Sequence, residues 1–417
     1  MIRLYLGLLF FNLFLGFGKA EILSQAEIVQ LRCRGLLNPE GIDKPVLSWK
    51  LKSDEYNMVQ TAYEIVIATS MENLENNNYV WESGLVLSNE QLSIEPDTKN
   101  LKNKELYWWK VRIRDGHNKL TKWSEAAYFS LGLNKTSDWK AKWITASEWR
   151  KESPMPYFRK SIVLKGNTKL KRAVAYFCGL GIGDLYMNGN LVDETRILDP
   201  AQTNYEQYAL YSTFDVTSKL TAVENNIGVM LGEGWYAKSK VWGPRNKYGN
   251  PMFRFQMELV YEDGSKETIV SDGSWQWHPS PVITNNIFIG EFYDATKEVV
   301  DWMNPKVASS NDWKNASEDI TGIIPKELRP QLLEPIRLKN EISAVKFWKA
   351  PSGSWIFDFG VNVTGVPKIK MSQPKGTHIK MRMGEHINND GSIDYTSTGY
   401  KFIGPIQIEE YIFAGKK

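Results

Sequence analysis

In FRFQMELVY, residues 253–261, apolar and polar side chains alternate with a single departure at Val260. Successive side chains of an extended strand point to opposite faces, so Phe253, Phe255, Met257, Leu259 and Tyr261 share one face and Arg254, Gln256 and Glu258 the other. A helix would scatter those five apolar residues around its circumference. Asp263-Gly264 then turns the chain back into ETIV, which makes the stretch a hairpin with one buried and one wet side.

The pattern recurs along the chain with almost no helical periodicity, which is the signature of an all-β protein built from tandem sandwiches. At 417 residues the chain exceeds one hydrophobic core, so several domains are expected. In a first block VLSW at 46–49, QTAYEIVIA at 60–68 and YWWKVRIRD at 107–115 alternate, with a last short strand ending near Phe129. Tyr107, Trp109, Val111 and Ile113 share a face, as in a central strand of an immunoglobulin-like sandwich. This block resembles a fibronectin type III module, and no site is read in it. A second block runs from about Trp139 to about Gly322, and a third follows the proline-bearing linker IIPKELRP. The expected boundaries are 1–20 for a leader, 21–138, 139–325 and 326–417, the last sandwich being incomplete.

The stretch FCGLGIGDLYMNGN at 177–190 carries glycines at alternate positions before an acidic residue, which invites comparison with a phosphate-binding loop. That loop needs a helix directly after the glycines. Here Leu185, Tyr186 and Met187 lead into Asn188-Gly189, a hairpin-turn dipeptide, so the glycines belong to a β-sheet approached closely by another backbone or a ligand.

Charge and rare residues narrow the function classes. A net charge of +3 with both signs interspersed leaves no basic stripe for nucleic acid. The two cysteines, Cys33 and Cys178, read as separate buried thiols, and without a Cys/His cluster no structural zinc site is supported. None of the four histidines sits in a nucleophile setting. Sixteen Trp and nineteen Tyr exceed ordinary core needs and suit a site for a ring-shaped partner such as a sugar. Met1-Ile2-Arg3, an apolar run from Leu4 to Phe17 and Gly18-Lys19-Ala20 form a secretory signal peptide cleaved after Ala20. The run is shorter than a membrane-spanning helix. A secreted or periplasmic protein with no membrane span is expected.

Over nearly the whole mature chain the motifs resemble those of the bacterial α-L-rhamnosidase family. Trp81-Glu82-Ser83-Gly84 and YWWKVRIRD look like its N-terminal β-sandwich. GLGIGDLYMNG, LDPAQTNYEQYALYSTFDVT, LGEGWY and IFIGEFYDA are similar to its carbohydrate-binding-like jelly roll, and FDFGVNVTG with EHINNDGS to the start of its concanavalin-like domain. Where the family often has arginine after GEFYDA, Thr296 stands here. The resemblance implies inverting hydrolysis of terminal α-L-rhamnosides by two carboxyl groups on an (α/α)6 barrel that follows these domains. No catalytic residue is assigned in these 417 residues, which as an N-terminal accessory region are expected to be inactive alone; Glu291, Asp294, Glu385 and Glu410 belong to sandwich modules. The alternatives are a stand-alone rhamnose-binding lectin and a purely structural array.

By resemblance the jelly roll binds a rhamnose-containing carbohydrate, sometimes with calcium, while no cofactor is required. The candidate binding residues are Asn188, Asp193, Asp199, Tyr205, Trp235, Trp242, Glu291 and Asp294, with Tyr236 beside them. Amides and carboxylates would pair with sugar hydroxyls, and the aromatic rings would exclude water.

Overall fold

A computed structural model describes residues 23–149, 153–166, 168–237, 248–304, 306, 312–396 and 407–415. The leader expected at 1–20 and the candidate Trp242 lie outside the described residues. The regular structure of the described chain is almost all strand, and the chain forms two compact units. The first comprises the residues up to 37 with 46–100 and 107–128, and the second comprises 38–45, 101–106 and everything from 129 onward.

In the first unit Glu27–Cys33 pairs antiparallel with Leu47–Lys52, and a four-stranded sheet runs in the order Trp81–Glu82, Gln60–Ala68, Leu106–Asp115, Ala127–Ser130. Tyr107, Trp109, Val111 and Ile113 are all buried, as their alternation requires. Trp49 carries a polar edge into this core, and its indole N–H donates to Gln60 Oε1 at 3.1 Å. Gln60 in turn donates to the carbonyls of Ser88 and Glu90, so the buried amide is satisfied. One short helix, Met71–Glu75, is capped by the Ser70 hydroxyl and packs Leu74 on Val66 and Ala68. Five residues are too few to show a helical period.

The second unit holds a sandwich of two sheets. One runs Asn190–Leu191, Ile182–Met187, Glu224–Gly232, Pro156–Val163, Gln276–Pro279, Lys314–Asn315. The other runs Lys266–Val270, Met252–Tyr261, Leu170–Leu180, Tyr208–Asp215, Glu327–Pro330. Phe158 and Ile227 from the first sheet share a core with Phe253, Phe255 and Ala175 from the second. The ring centres of Phe253 and Trp275 lie 5.2 Å apart, edge to face, an arrangement the ring quadrupoles favour. The five apolar residues of FRFQMELVY are buried in this core, and the hairpin to Lys266–Val270 forms as the alternation predicts.

Two expectations change. The outer face of that strand is not simply wet: Gln256 is fully buried because residues 138–141 cross it, and its side chain serves the Lys140 and Ala141 N–H groups and the Asp138 carbonyl. The segment read as a linker contains an edge strand, since Glu327–Pro330 pairs in parallel with Tyr208–Asp215 while Leu328 packs on the core. Proline is tolerated there because it ends the edge strand.

Of the glycines in the 177–190 stretch, Gly179 and Gly183 lie in strands and Gly181 joins them, all at close approaches. A methyl group on Gly181 would stand 1.7 Å from the Glu233 carbonyl oxygen, and one on Gly179 3.0 Å from Gly183 Cα. Asn188 and Gly189 both take positive φ, as the two-residue hairpin requires. Further along, Val282–Asn286, Gly290–Asp294, Ile408–Ile412 and His378–Arg382 form one sheet, so strands on either side of the expected boundary at 325 pair with one another. Cys33 and Cys178 are buried and unbridged. Among the described residues no helix is long and apolar enough to cross a membrane.

Candidate functional site

At one edge of the sandwich the hairpin of Ile182–Met187 and Asn190–Leu191 is followed by a segment that folds back beside it. The Gly183 N–H donates to the Asp199 carbonyl at 2.9 Å, and Val192 N–H to that of Leu185. Between this segment and the strands lies a narrow recess with a cavity volume of about 20 Å³, open to solvent. Asp184, Asp193, Arg196 and Asp199 line it as charged groups, and Phe177, Leu185 and Phe214 are among its apolar walls.

Most of its charges are paired. Asp193 accepts from the Thr195 N–H and hydroxyl at 3.1 and 2.8 Å and from Arg337 at 2.8 Å. Burial disfavours its ionised form, but those bonds prevail and hold its carboxyl below the usual range. Asp199 is ion-paired with Arg196 and accepts from Gln331 at 2.9 Å and Ser212 at 3.2 Å. The Arg196 guanidinium also donates to Ser212 Oγ at 2.8 Å and lies 4.9 Å from the Phe214 ring centre. Two groups are left over. Among the described residues no hydrogen bond reaches the Asp184 carboxylate, which burial, reinforced by the Asp199 charge, pushes up to about 6. Arg196 Nε is likewise buried without a partner.

Of the residues proposed from sequence, Asp193 and Asp199 meet here. Asn188 braces its own hairpin, accepting from the Asn226 N–H at 2.8 Å and donating to the Lys219 carbonyl. Tyr205 is fully buried among rings, 5.4 Å from Tyr236 and 5.2 Å from Tyr248, and Tyr236 donates to the Ile323 carbonyl. Trp235 packs edge-on against Phe288 at 5.4 Å. Glu291 accepts from Asn285 at 2.9 Å, and burial together with the Glu409 and Asp184 charges raises its pKa. Asp294 caps the turn Ala295–Lys297 by accepting from the Thr296 N–H and hydroxyl. Thr296 thus fits a capping role where an arginine would carry charge.

Asp184 and Arg196 were missed from sequence. The alternation of GDLYM sets Asp184 opposite the buried Leu185, and Arg196 stands three residues before Asp199, but nothing local shows that the segment folds back.

Three family models match the chain. The alpha-L-rhamnosidase N-terminal domain covers residues 168–340, the Rha78A-like N-terminal immunoglobulin domain 28–135, and the bacterial alpha-L-rhamnosidase concanavalin-like domain 348–417. A Formosa agariphila protein named alpha-L-rhamnosidase is 33% identical over 410 residues, which are 91% of this chain and 42% of the relative. The solved alpha-L-rhamnosidase from Dictyoglumus thermophilum superimposes with a TM-score of 0.82 at 33% identity, covering 95% of this chain and 45% of that one. The Streptomyces avermitilis alpha-L-rhamnosidase complexed with L-rhamnose shares the fold, with a TM-score of 0.82 at 20% identity over 94% of this chain and 54% of that one. The chain spans about two fifths of the length of the curated relative.

Proposed function

Because the chain belongs to the bacterial α-L-rhamnosidase family and corresponds to its N-terminal region, we propose that the sandwich of the second unit binds rhamnose-containing carbohydrate and serves hydrolysis of α-L-rhamnosides by the whole protein. The observation that carries this reading is the recess, where charged hydrogen-bonding groups converge against Phe177 and Phe214. Sugar sites need such a pairing of polar groups with an apolar wall. Few contacts on a small polar ligand support a dissociation constant on the order of 0.1–1 mM. Calorimetry with L-rhamnose is the test. Heat in that range, lost on Asp199→Ala, supports the reading, and no heat leaves the unit a spacer.

Calcium in this sandwich belongs to the same reading, with no cofactor required, and weaker sugar binding after chelation would support it. The domain boundary at 138 and export by the leader at 1–20 belong to the same reading, with the boundary expected at 325 placed after the edge strand Glu327–Pro330. N-terminal sequencing of protein recovered outside the cytoplasm should begin at Glu21. None of the carboxylates here is assigned as acid or base, so residues 21–417 alone should release no rhamnose from an aryl rhamnoside.

A further inference from the structure

We infer that residues 361–371 form the contact between two copies of this chain, pairing antiparallel with themselves about a two-fold axis at Val366. This goes beyond carbohydrate binding and does not depend on it. The segment reads VNVTGVPKIKM and lies between Gly360 and Pro374. In an extended chain Val361, Val363, Ile369 and Met371 share one face, and Asn362, Thr364, Lys368 and Lys370 share the other. None of these residues takes a positive φ. Yet among the described residues no strand pairs with the segment and no backbone hydrogen bond reaches it. Val361, Val363, Val366, Ile369 and Met371 are 43–63% exposed. The strand leading into it, Trp355–Asp358, exposes Trp355 and Phe357 as well, so the apolar surface does not stop at the segment. An unpaired row of N–H and C=O groups flanked by apolar side chains is a template for a further strand.

The segment is its own complement, which selects a second copy as that strand. With Val366 opposite Val366, Val361 stands across from Met371 and Val363 across from Ile369 on one face. On the other, Asn362 stands across from Lys370 and Thr364 across from Lys368. Apolar groups meet apolar groups, and no lysine meets a lysine, an opposition that costs stability. Lys368 is in addition ion-paired with Glu341 of its own copy.

Proline fits the same register. When residues 362, 364, 366, 368 and 370 exchange the backbone bonds, Pro367 takes a non-hydrogen-bonded place opposite Gly365, where its missing N–H leaves no acceptor unmet. A slip of one residue in either direction sets Val363 against a lysine and Ile369 against Asn362 or Thr364. The two-fold pairing uses the edge of both copies, so assembly closes at the dimer.

The test is analytical ultracentrifugation of the protein across about 1–200 µM, where a contact of this size should give a dissociation constant on the order of 1–100 µM. Val366→Lys, which sets two lysines face to face, should weaken association about fivefold or more. Opposed Cα atoms of a hydrogen-bonded pair lie about 5.5 Å apart, within disulfide reach, so Val366→Cys should link two copies on mild oxidation. Asn362→Cys should not, because in this register its two equivalents lie about 27 Å apart along the strands. Cys33 and Cys178 are buried and take no part. Val366 and Asn362 are exposed, and unchanged melting temperatures confirm that the variants fold. A protein that stays monomeric at the highest concentration overturns the inference. So does a dimer that Val366→Lys leaves intact, or one linked through Asn362→Cys and not through Val366→Cys.

Discussion

The guanidinium carbon of Arg159 lies 3.8 Å from the centre of the Trp313 ring. Arg159 is 4% exposed, and it also donates to Gln276 Oε1 and to the Trp302 carbonyl, both at 3.1 Å. It therefore fastens Trp302 and Trp313 to the outer face of the sheet containing Pro156–Val163. Arg159→Ala removes the cation–π contact and leaves two part-buried acceptors unmet, so a loss of about 1–3 kcal/mol is expected in urea unfolding. Arg159→Lys should recover less than half, because an ammonium cannot span both acceptors while stacking on the indole. Equal midpoints for wild type and Arg159→Ala would contradict this role.

Gln256 makes a comparable prediction from a neutral group. Its carbonyl accepts from the Lys140 and Ala141 N–H groups at 2.7 and 3.2 Å, and its amide donates to the Asp138 carbonyl at 2.9 Å. Gln256→Leu preserves the bulk but orphans buried backbone groups, each worth roughly 1–3 kcal/mol. A fall in melting temperature is expected, together with faster amide exchange confined to residues 138–141 and their neighbours. Unchanged exchange there would show that the segment holds without the amide.

Asp184 ties stability to pH. Burial, with the Asp199 charge, raises its carboxyl from 3.8 to about 6, so between those values the folded protein binds more protons than the unfolded chain. Stability from this group is accordingly full below about pH 4, declines as pH rises through 6, and stays lower above it. Asp184→Asn should leave the melting temperature unchanged at pH 3.5 and raise stability by about 1–3 kcal/mol at pH 8.

The cysteines give a chemical check. Cys33 is 1% exposed and Cys178 fully buried, neither is bridged, and burial pushes the Cys178 thiol well above its usual range. Both should resist iodoacetamide in the native protein and both react in guanidinium, since only an accessible thiolate is alkylated. Reductant should not shift the melting temperature. Failure of either thiol to label after unfolding without reductant would reveal a bridge.

The amino-acid sequence determined the elements and the class of fold. Alternation alone placed Tyr107, Trp109, Val111 and Ile113, and Phe253, Phe255, Met257, Leu259 and Tyr261, on the buried faces of their strands, because a period of two is local and separates one face from the other. Turn chemistry likewise located the hairpins at Asn188-Gly189 and Asp263-Gly264. The order of its motifs also pointed to the family. What tertiary structure decided were the long-range relations. Gln256 is buried because a segment more than a hundred residues distant crosses it, and Glu327–Pro330 is a strand because Tyr208–Asp215 offers an edge. The recess is another such case. Asp193 and Asp199 meet Arg337 and Gln331 from over a hundred residues away, while Tyr205, Trp235, Glu291 and Asp294, of the same chemical types, are placed in packing and capping roles. Side-chain type says what a group can bind, but only the folded chain decides which partners reach it first.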